Sequence, residues 1–297
     1  MRPADNLRGI GLMTGSMAAF AIEDMFLKFA AVSLPTGEVL ALTACFGFLF
    51  FAVLAQRDGR SVISARALHP WILARNFGEM VGTYAFITAL AAVPLPLVAA
   101  VLQAMPLAVT LAAALFLGEA VGWRRWSAII AGFAGVLLVI QPGFDGFNAA
   151  SLWVLVTVAG LALRDIASRM VPPDYSTTQV SAWGVASVLL LGLGMMAWQG
   201  AVVPDAWQSA MLAGATLVGT LGYWLITAAA RTGEVAVVSP FRYTRLIFAI
   251  AIGGLVFHEY PDRWMLIGAS VIIASGLYAL ARERARKRLL SKTGLAG

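Results

Sequence analysis

Long apolar runs, broken at short intervals by polar and turn-forming clusters, fill the chain from end to end. An α-helix rises about 1.5 Å per residue, so roughly 20 apolar residues cross the ~30 Å hydrocarbon layer of a bilayer. Ten windows meet that length: 8–31, 36–55, 70–92, 96–117, 123–140, 149–170, 178–198, 207–230, 235–257 and 264–282. The breaks carry residues that end helices, as in "SLPTG", "QRDGRS", "AVPLP", "QPGFDGFN", "VPPDYSTT" and "HEYPDR". The pattern predicts an all-α integral membrane protein of ten transmembrane helices.

The windows repeat. "AIEDMFLKF" (21–29) matches "ALRDIASRM" (162–170), "YAFITA" (84–89) matches "YWLITA" (223–228), and "FLGE" (116–119) matches "VFHE" (256–259). All three fall at a nearly constant offset of about 140 residues. The chain therefore reads as two five-helix repeats, 1–143 and 144–284, followed by a basic tail at 285–297. Five is odd, so the second repeat enters the bilayer from the opposite side, and the repeats are inverted. That architecture suits alternating access around a site near the midplane.

Lys and Arg set the orientation. With the N-terminus in the cytoplasm, most basic residues fall on or toward that side, among them Arg57, Arg60, Arg66, Arg124, Arg125, Arg169 and Arg231. The outer connection "QPGFDGFNAAS" has none. The prediction is a multi-pass protein of the cell (inner) membrane with both termini cytoplasmic. The tail "RERARKRLLSK" (282–292) suits an anionic leaflet. The first apolar run is read as an uncleaved helix, because Glu23, Asp24 and Lys28 interrupt it.

Composition agrees. Of 297 residues, 60% are hydrophobic and 12% charged, about half the usual charged fraction of a soluble domain. The net charge of +6 lies in short loops and the tail, so nucleic acid is not an expected partner. One cysteine, Cys45, rules out an internal disulfide. His69 and His258 are isolated, so no metal site is expected, and no phosphate-binding loop or other cofactor motif appears. No constellation for catalysis is present, and the protein is not expected to be an enzyme.

Ten helices in two halves, with "LFLGE" (115–119) ending the fourth and the weaker "LVFHE" (255–259) ending the ninth before "GASVIIASG" (268–276), resemble the EamA-type branch of the drug/metabolite transporter superfamily. The resemblance implies secondary transport of small metabolites without a cofactor. Within that branch, exporters of aromatic amino acids (YddG-type) are the nearest specific group.

Eight ionisable side chains fall well inside the windows: Glu23, Asp24, Lys28, Glu79, Arg164, Asp165, Arg242 and Arg245. A charge at a helix centre costs about 2.5–3.5 kcal/mol on insertion scales. A fold with a net stability of about 5–15 kcal/mol cannot leave all of them in lipid. They must pair or line water. Asp24/Lys28 and Asp165/Arg169 are acid-first i,i+4 pairs, read as structural or gating ion pairs.

Glu79 lies near mid-membrane beside the small-residue stripe Gly78, Gly82, Ala85 and Ala89, with Thr83 one turn on. It could bind a substrate ammonium, carry a proton, or pair with Arg75 or an arginine of the ninth helix. Arg242 and Arg245 flank Tyr243 and suit a carboxylate. Tyr243 matches Gln103 in the repeat, so the two are expected to face each other. Tyr84, Trp183 and Tyr223 offer rings for a planar substrate. Pro106 and Pro240 interrupt the fourth and ninth helices as candidate hinges.

The leading expectation is a transporter that exports amino acids, with a lipid bilayer and a small molecule as its partners. Alternatives are an organic-cation exporter that exchanges protons through Glu79, an anion or nucleotide-sugar exchanger using the two arginines, or a non-transporting membrane subunit or channel.

Overall fold

The structure, a computed structural model, describes residues 3–119, 121–143, 147–232 and 234–292. Arg2, the last five residues of the tail, and the side chains of Arg284, Arg286, Lys287, Arg288 and Lys292 lie outside the described residues.

Among the described residues twelve helices follow the ten windows. They are α1 (Pro3–Ser33), α2 (Thr36–Arg57), α3 (Pro70–Ala92), α4 (Leu95–Leu102), α5 (Met105–Phe116), α6 (Trp123–Ile140), α7 (Leu152–Met170), α8 (Thr177–Gln199), α9 (Ala206–Thr232), α10 (Val235–Val238), α11 (Thr244–Val256) and α12 (Arg263–Lys292). Short 3-10 turns cover Ala65–Leu68, Ala149–Ser151 and Ser239–Tyr243. No strand occurs among the described residues. Helix α12 runs on as far as Lys292.

Among the described residues, seven helices are long and apolar enough to cross a membrane, and up to eight if α4 and α5 form one bent span. This is an integral membrane protein. The windows that miss the criterion do so for identifiable reasons. Helix α3 has 23 residues, but Arg75, Asn76 and Glu79 lower its hydropathy. The ninth window is cut by the turn Ser239–Tyr243 into α10 and α11.

The two prolines sit at the breaks. Pro106 lies in the first turn of α5, and the α4–α5 pair is bent by 40°. A proline at 106 has no N–H for the carbonyl of Leu102, so the regular ladder stops there. The chain closes the gap with short-range bonds, Gln103 N–H to Ala100 O (3.2 Å) and Ala104 N–H to Val101 O (3.0 Å). Pro240 sits in the 3-10 turn before α11.

The residues form two compact units. One contains residues 22–98 and 149–220. Here α2 packs on α8, and α3 on both α7 and α8. On α2, Gly37, Leu40, Ala41 and Ala44 are buried, while Phe46, Leu49, Phe50 and Val53 are exposed. Gly37, Ala41 and Ala44 let a neighbouring helix approach beside Leu40, while the outward face carries large apolar side chains, the arrangement a lipid solvent favours.

Helices α2 and α8 run antiparallel. Gly37 at the start of α2 lies on Met195 near the end of α8. Asp58, just past α2, accepts a hydrogen bond from the Thr178 hydroxyl at the start of α8 (2.9 Å). Helices α3 and α7 cross at glycines. A Cβ on Gly160 would stand 2.6 Å from the Gly82 nitrogen, and one on Gly78 2.7 Å from the Gly160 oxygen. The small-residue stripe read from the sequence is thus the contact face of α3.

The other unit contains residues 1–21, 99–148 and 221–297. Here α6 packs on α12, again antiparallel. Gly135 meets Gly268 backbone to backbone, and Gln141, just past α6, donates to Asp262, just before α12 (2.6 Å). Met13, Met17, Ala229 and Val238 form a buried cluster. Beside it the Ser16 hydroxyl donates to the Gly222 carbonyl (2.7 Å).

A methyl at position 160 has nowhere to go. Gly160→Ala is expected to cost about 1–3 kcal/mol by overpacking, read as a lower unfolding temperature in detergent. Gly11→Ala, where nothing lies within 4 Å, is expected to leave it unchanged or raise it.

Candidate functional site

The helical scaffold positions two groups of polar side chains, one in each unit. In the unit holding α3 and α7, charges of alternating sign form a chain. Arg75 Nη2 stands 3.2 Å from Glu79 Oε2, one turn apart on α3. Arg164 Nη1, from α7, stands 3.2 Å from Glu79 Oε1. Arg164 Nη2 then reaches Asp165 Oδ1 at 2.8 Å, and its Nε donates to the same oxygen. Arg75 also donates to the Asn76 side-chain oxygen (3.2 Å).

The α3–α7 glycine crossing lets this happen, because it brings the helix of Glu79 against the backbone of Arg164. Gly184 of α8 makes room for the Arg75 guanidinium, which a side chain there would displace. Thr83, a turn beyond Glu79, is half-buried, and Tyr84 meets Trp153 edge-on (centroids 5.6 Å apart).

Two further charges in this unit are buried. Asp24 and Lys28 are 2% and 6% exposed. Lys28 Nζ donates to the Val93 carbonyl (2.6 Å), at the C-terminal end of α3, where a cation is electrostatically favoured. The Glu23 carboxylate lies against Gly219. Asp165 is held by Arg164, its neighbour in sequence, and Arg169 closes the last turn of α7. Trp183 is buried, and its indole N–H donates to the Val62 carbonyl (2.7 Å).

In the other unit the two helix breaks meet. The Gln103 side-chain amide, at the α4–α5 break, donates to the Tyr243 carbonyl, at the end of the 3-10 turn (3.3 Å). The Tyr243 hydroxyl rests on Gly276 of α12, where a methyl group would overlap it. The Arg245 guanidinium lies over the Phe20 ring (5.6 Å). Arg242 is exposed in the turn itself, and Tyr223 is exposed on α9. Pro106 and Pro240 flank this meeting point in sequence. Among the described residues no group of His, Cys, Asp and Glu is placed to hold a metal ion.

Three polar residues escaped the sequence reading. Glu38 is 2% exposed, and one of its carboxylate oxygens accepts the Val202 N–H (3.1 Å). It stands in the first turn of α2, where an acid complements the helix dipole, and that position was its only signal. Gln179 is buried, donating to the Ser61 carbonyl (2.6 Å). Asn76 supports Arg75.

Comparison with known proteins places this arrangement. The model of the EamA-like transporter family matches residues 7–141 and again residues 148–280. The chain belongs to the EamA-like transporter family. This EamA-like chain is 26% identical over 271 residues to a riboflavin transporter of Rhizobium johnstonii, covering 91% of this chain and 90% of that one. It is 22% identical over 281 residues to an S-adenosylmethionine uptake transporter of Rickettsia conorii, covering 94% of each. It is 24% identical over 278 residues to the pseudopaline exporter CntI of Pseudomonas aeruginosa, covering 93% of this chain and 96% of that one. A solved crystal structure matches with a TM-score of 0.58 at 19% identity, covering 97% of this chain and 99% of that one, which shows a shared fold. Together these support small-molecule transport as the work of this EamA-like protein.

Glu79 has a guanidinium on each oxygen, so Glu79→Gln leaves two arginines short of a partner. The expected loss is about 2 kcal/mol, below the roughly 3–5 kcal/mol of a fully buried pair because the chain is partly exposed. A double-mutant cycle of Glu79→Gln with Arg164→Gln, read by thermal unfolding, is expected to be clearly non-additive.

Proposed function

We propose that this protein is a secondary transporter that exports a small zwitterionic metabolite of the amino-acid class, by alternating access between two inverted five-helix repeats. The observation that carries the proposal is the direction of the repeat-mate helices. Helix α2 and its mate α8 are antiparallel, as are α6 and α12. A repeat inserted twice in the same sense would give parallel mates. The two separate matches to one family model support the same reading.

Parity supports ten spans. Asp58 and Thr178 bond to each other, so the chain between them crosses the bilayer an even number of times. Helices α6 and α7 are both long and apolar enough to cross. If the bent α4–α5 pair also crosses, α3 must cross with it. Gln141 and Asp262 impose the same condition. Helices α7, α8 and α9 account for three crossings between them, and the broken α10–α11 segment supplies the fourth. The distribution of Lys and Arg supports the reading in which both termini are cytoplasmic.

Arg242 is the group proposed to take a substrate carboxylate. It is exposed, always charged and able to bind both oxygens. Gln103 and Tyr243 hold the backbone from which it projects. Tyr223, exposed on α9 in the same unit, remains a proposed ring contact. Glu79, with both oxygens on arginines, is proposed to hold α3 on α7 rather than to meet an ammonium group or carry a proton. Among the relatives, one is named for S-adenosylmethionine uptake and one for pseudopaline export. S-adenosylmethionine is itself a derivatised amino acid, which supports the substrate class.

The test is counterflow in proteoliposomes loaded with unlabelled amino acids. Saturable, trans-stimulated uptake of a labelled amino acid is expected. Arg242→Ala is expected to lower its kcat/KM about tenfold or more, the loss of a charge-assisted contact, and Arg242→Lys to restore part. Flux that rises linearly with concentration, without trans-stimulation, would identify a channel and overturn the carrier. Exchange of riboflavin or S-adenosylmethionine but of no amino acid would overturn the substrate class alone.

A further inference from the structure

The connection between α2 and α3 has a feature that transport does not explain. Ile63 is 95% exposed and Leu68 70% exposed, and a slack loop would turn such side chains inward. This loop is not slack. Asp58 takes the Thr178 hydroxyl (2.9 Å), the Ser61 carbonyl takes the Gln179 amide (2.6 Å), and the Val62 carbonyl takes the Trp183 indole N–H (2.7 Å). The Ser61 hydroxyl bonds the Ile63 carbonyl (3.1 Å), and the Ser64 hydroxyl accepts the Arg66 N–H (3.3 Å) to start the 3-10 turn Ala65–Leu68. His69 then caps α3 by accepting the Trp71 N–H (3.3 Å). Every carbonyl from Ser61 to Ile63 is tied, and the apolar side chains between these anchors are held outward.

The charge around them is one-sided. Arg57 and Arg60 are exposed, with Arg66 beside them. The one acid of the loop, Asp58, is turned onto Thr178. Arg66 is shared with Asp174 (3.3 Å) and the Tyr175 ring, which leaves Arg57 and Arg60 as the outward cations. The loop begins where the α2 span ends and finishes at α3, whose first turn carries the partly exposed Trp71, a residue typical of the membrane interface.

We propose that residues 57–69 form a membrane-surface anchor. Ile63 and Leu68 enter the headgroup boundary, and Arg57 and Arg60 bind the phosphates of anionic lipids. Apolar insertion combined with basic flanks is the general physics of interfacial segments. Here it is applied to a rigid loop clasped to the start of α8, so lipid composition would act on the element that α2, α3 and α8 share.

The test uses the full chain with Cys45 replaced by alanine and a polarity-sensitive fluorophore on Ile63→Cys. Position 63 touches little, so the variant is expected to fold. The protein is placed in nanodiscs of phosphatidylcholine alone and of phosphatidylcholine with phosphatidylglycerol, and the label is challenged with aqueous iodide. Blue-shifted emission and protection from iodide are expected with phosphatidylglycerol. Arg57→Gln with Arg60→Gln is expected to shift the inserted-to-free ratio about thirtyfold toward the free state. A label equally quenched in both nanodiscs and in detergent overturns the anchor. Equal protection in both nanodiscs, unaffected by the arginine changes, overturns the anionic-lipid contact. Protection that appears only with two copies per nanodisc assigns the surface to a second chain and also overturns the proposal.

Discussion

Hydrocarbon solvates neither a peptide group nor a charge, and that constraint underlies most of what this molecule shows. Every buried N–H and C=O must bond within the chain, so the described residues fold as helices. Where a helix stops inside a window, the loose ends are taken up locally. The α4–α5 break closes on three-residue bonds, and the Gln103 amide covers the Tyr243 carbonyl. Charges obey the same rule. Lys28 ends on the Val93 carbonyl, Glu38 on the Val202 N–H, and Glu79 on two arginines.

Close approach makes those partnerships possible. Hydrocarbon gives apolar side chains no reason to associate, so helices hold together by fitting closely. Glycine supplies the fit at Gly78, Gly82 and Gly160 between α3 and α7, at Gly37 and Gly192 between α2 and α8, and at Gly135 and Gly268 between α6 and α12. With backbones at contact, a guanidinium on α7 can reach a carboxylate on α3.

Much of this was legible in the chain. Eight of the ten windows coincide with unbroken helices among the described residues, since a run of about 20 apolar residues between turn residues has few other uses, and the fourth and ninth are interrupted. Pro106 and Pro240 marked real breaks because a missing N–H acts locally. The α3 glycine stripe marked a contact face for the same reason. Partners from distant parts of the chain were not legible. Arg75 could be named for Glu79 because it sits one turn away, but Arg164 could not, because only the α3–α7 crossing makes them neighbours. The repeat did carry one long-range contact, as Gln103 and Tyr243, matched by offset, do touch. Glu38 and Gln179 lie near helix starts, and tertiary packing buries them.

The Arg75–Glu79–Arg164–Asp165 chain poses the remaining question, because buried ion pairs are weak sources of stability. Desolvation offsets most of their attraction, and an apolar replacement of similar volume is often as stable. A glycine face by itself is permissive, since a smooth helix surface can slide or turn against its neighbour at little cost. A carboxylate that must meet one guanidinium on its own helix and another across the crossing tolerates neither movement. Sliding α3 past α7 by one turn, about 5.4 Å, would break the Glu79–Arg164 contact and leave Glu79 with Arg75 alone and Arg164 with Asp165 alone. The chain of charges therefore makes register expensive to change while adding little to stability. A carrier needs that property in any helix pair that moves as one body.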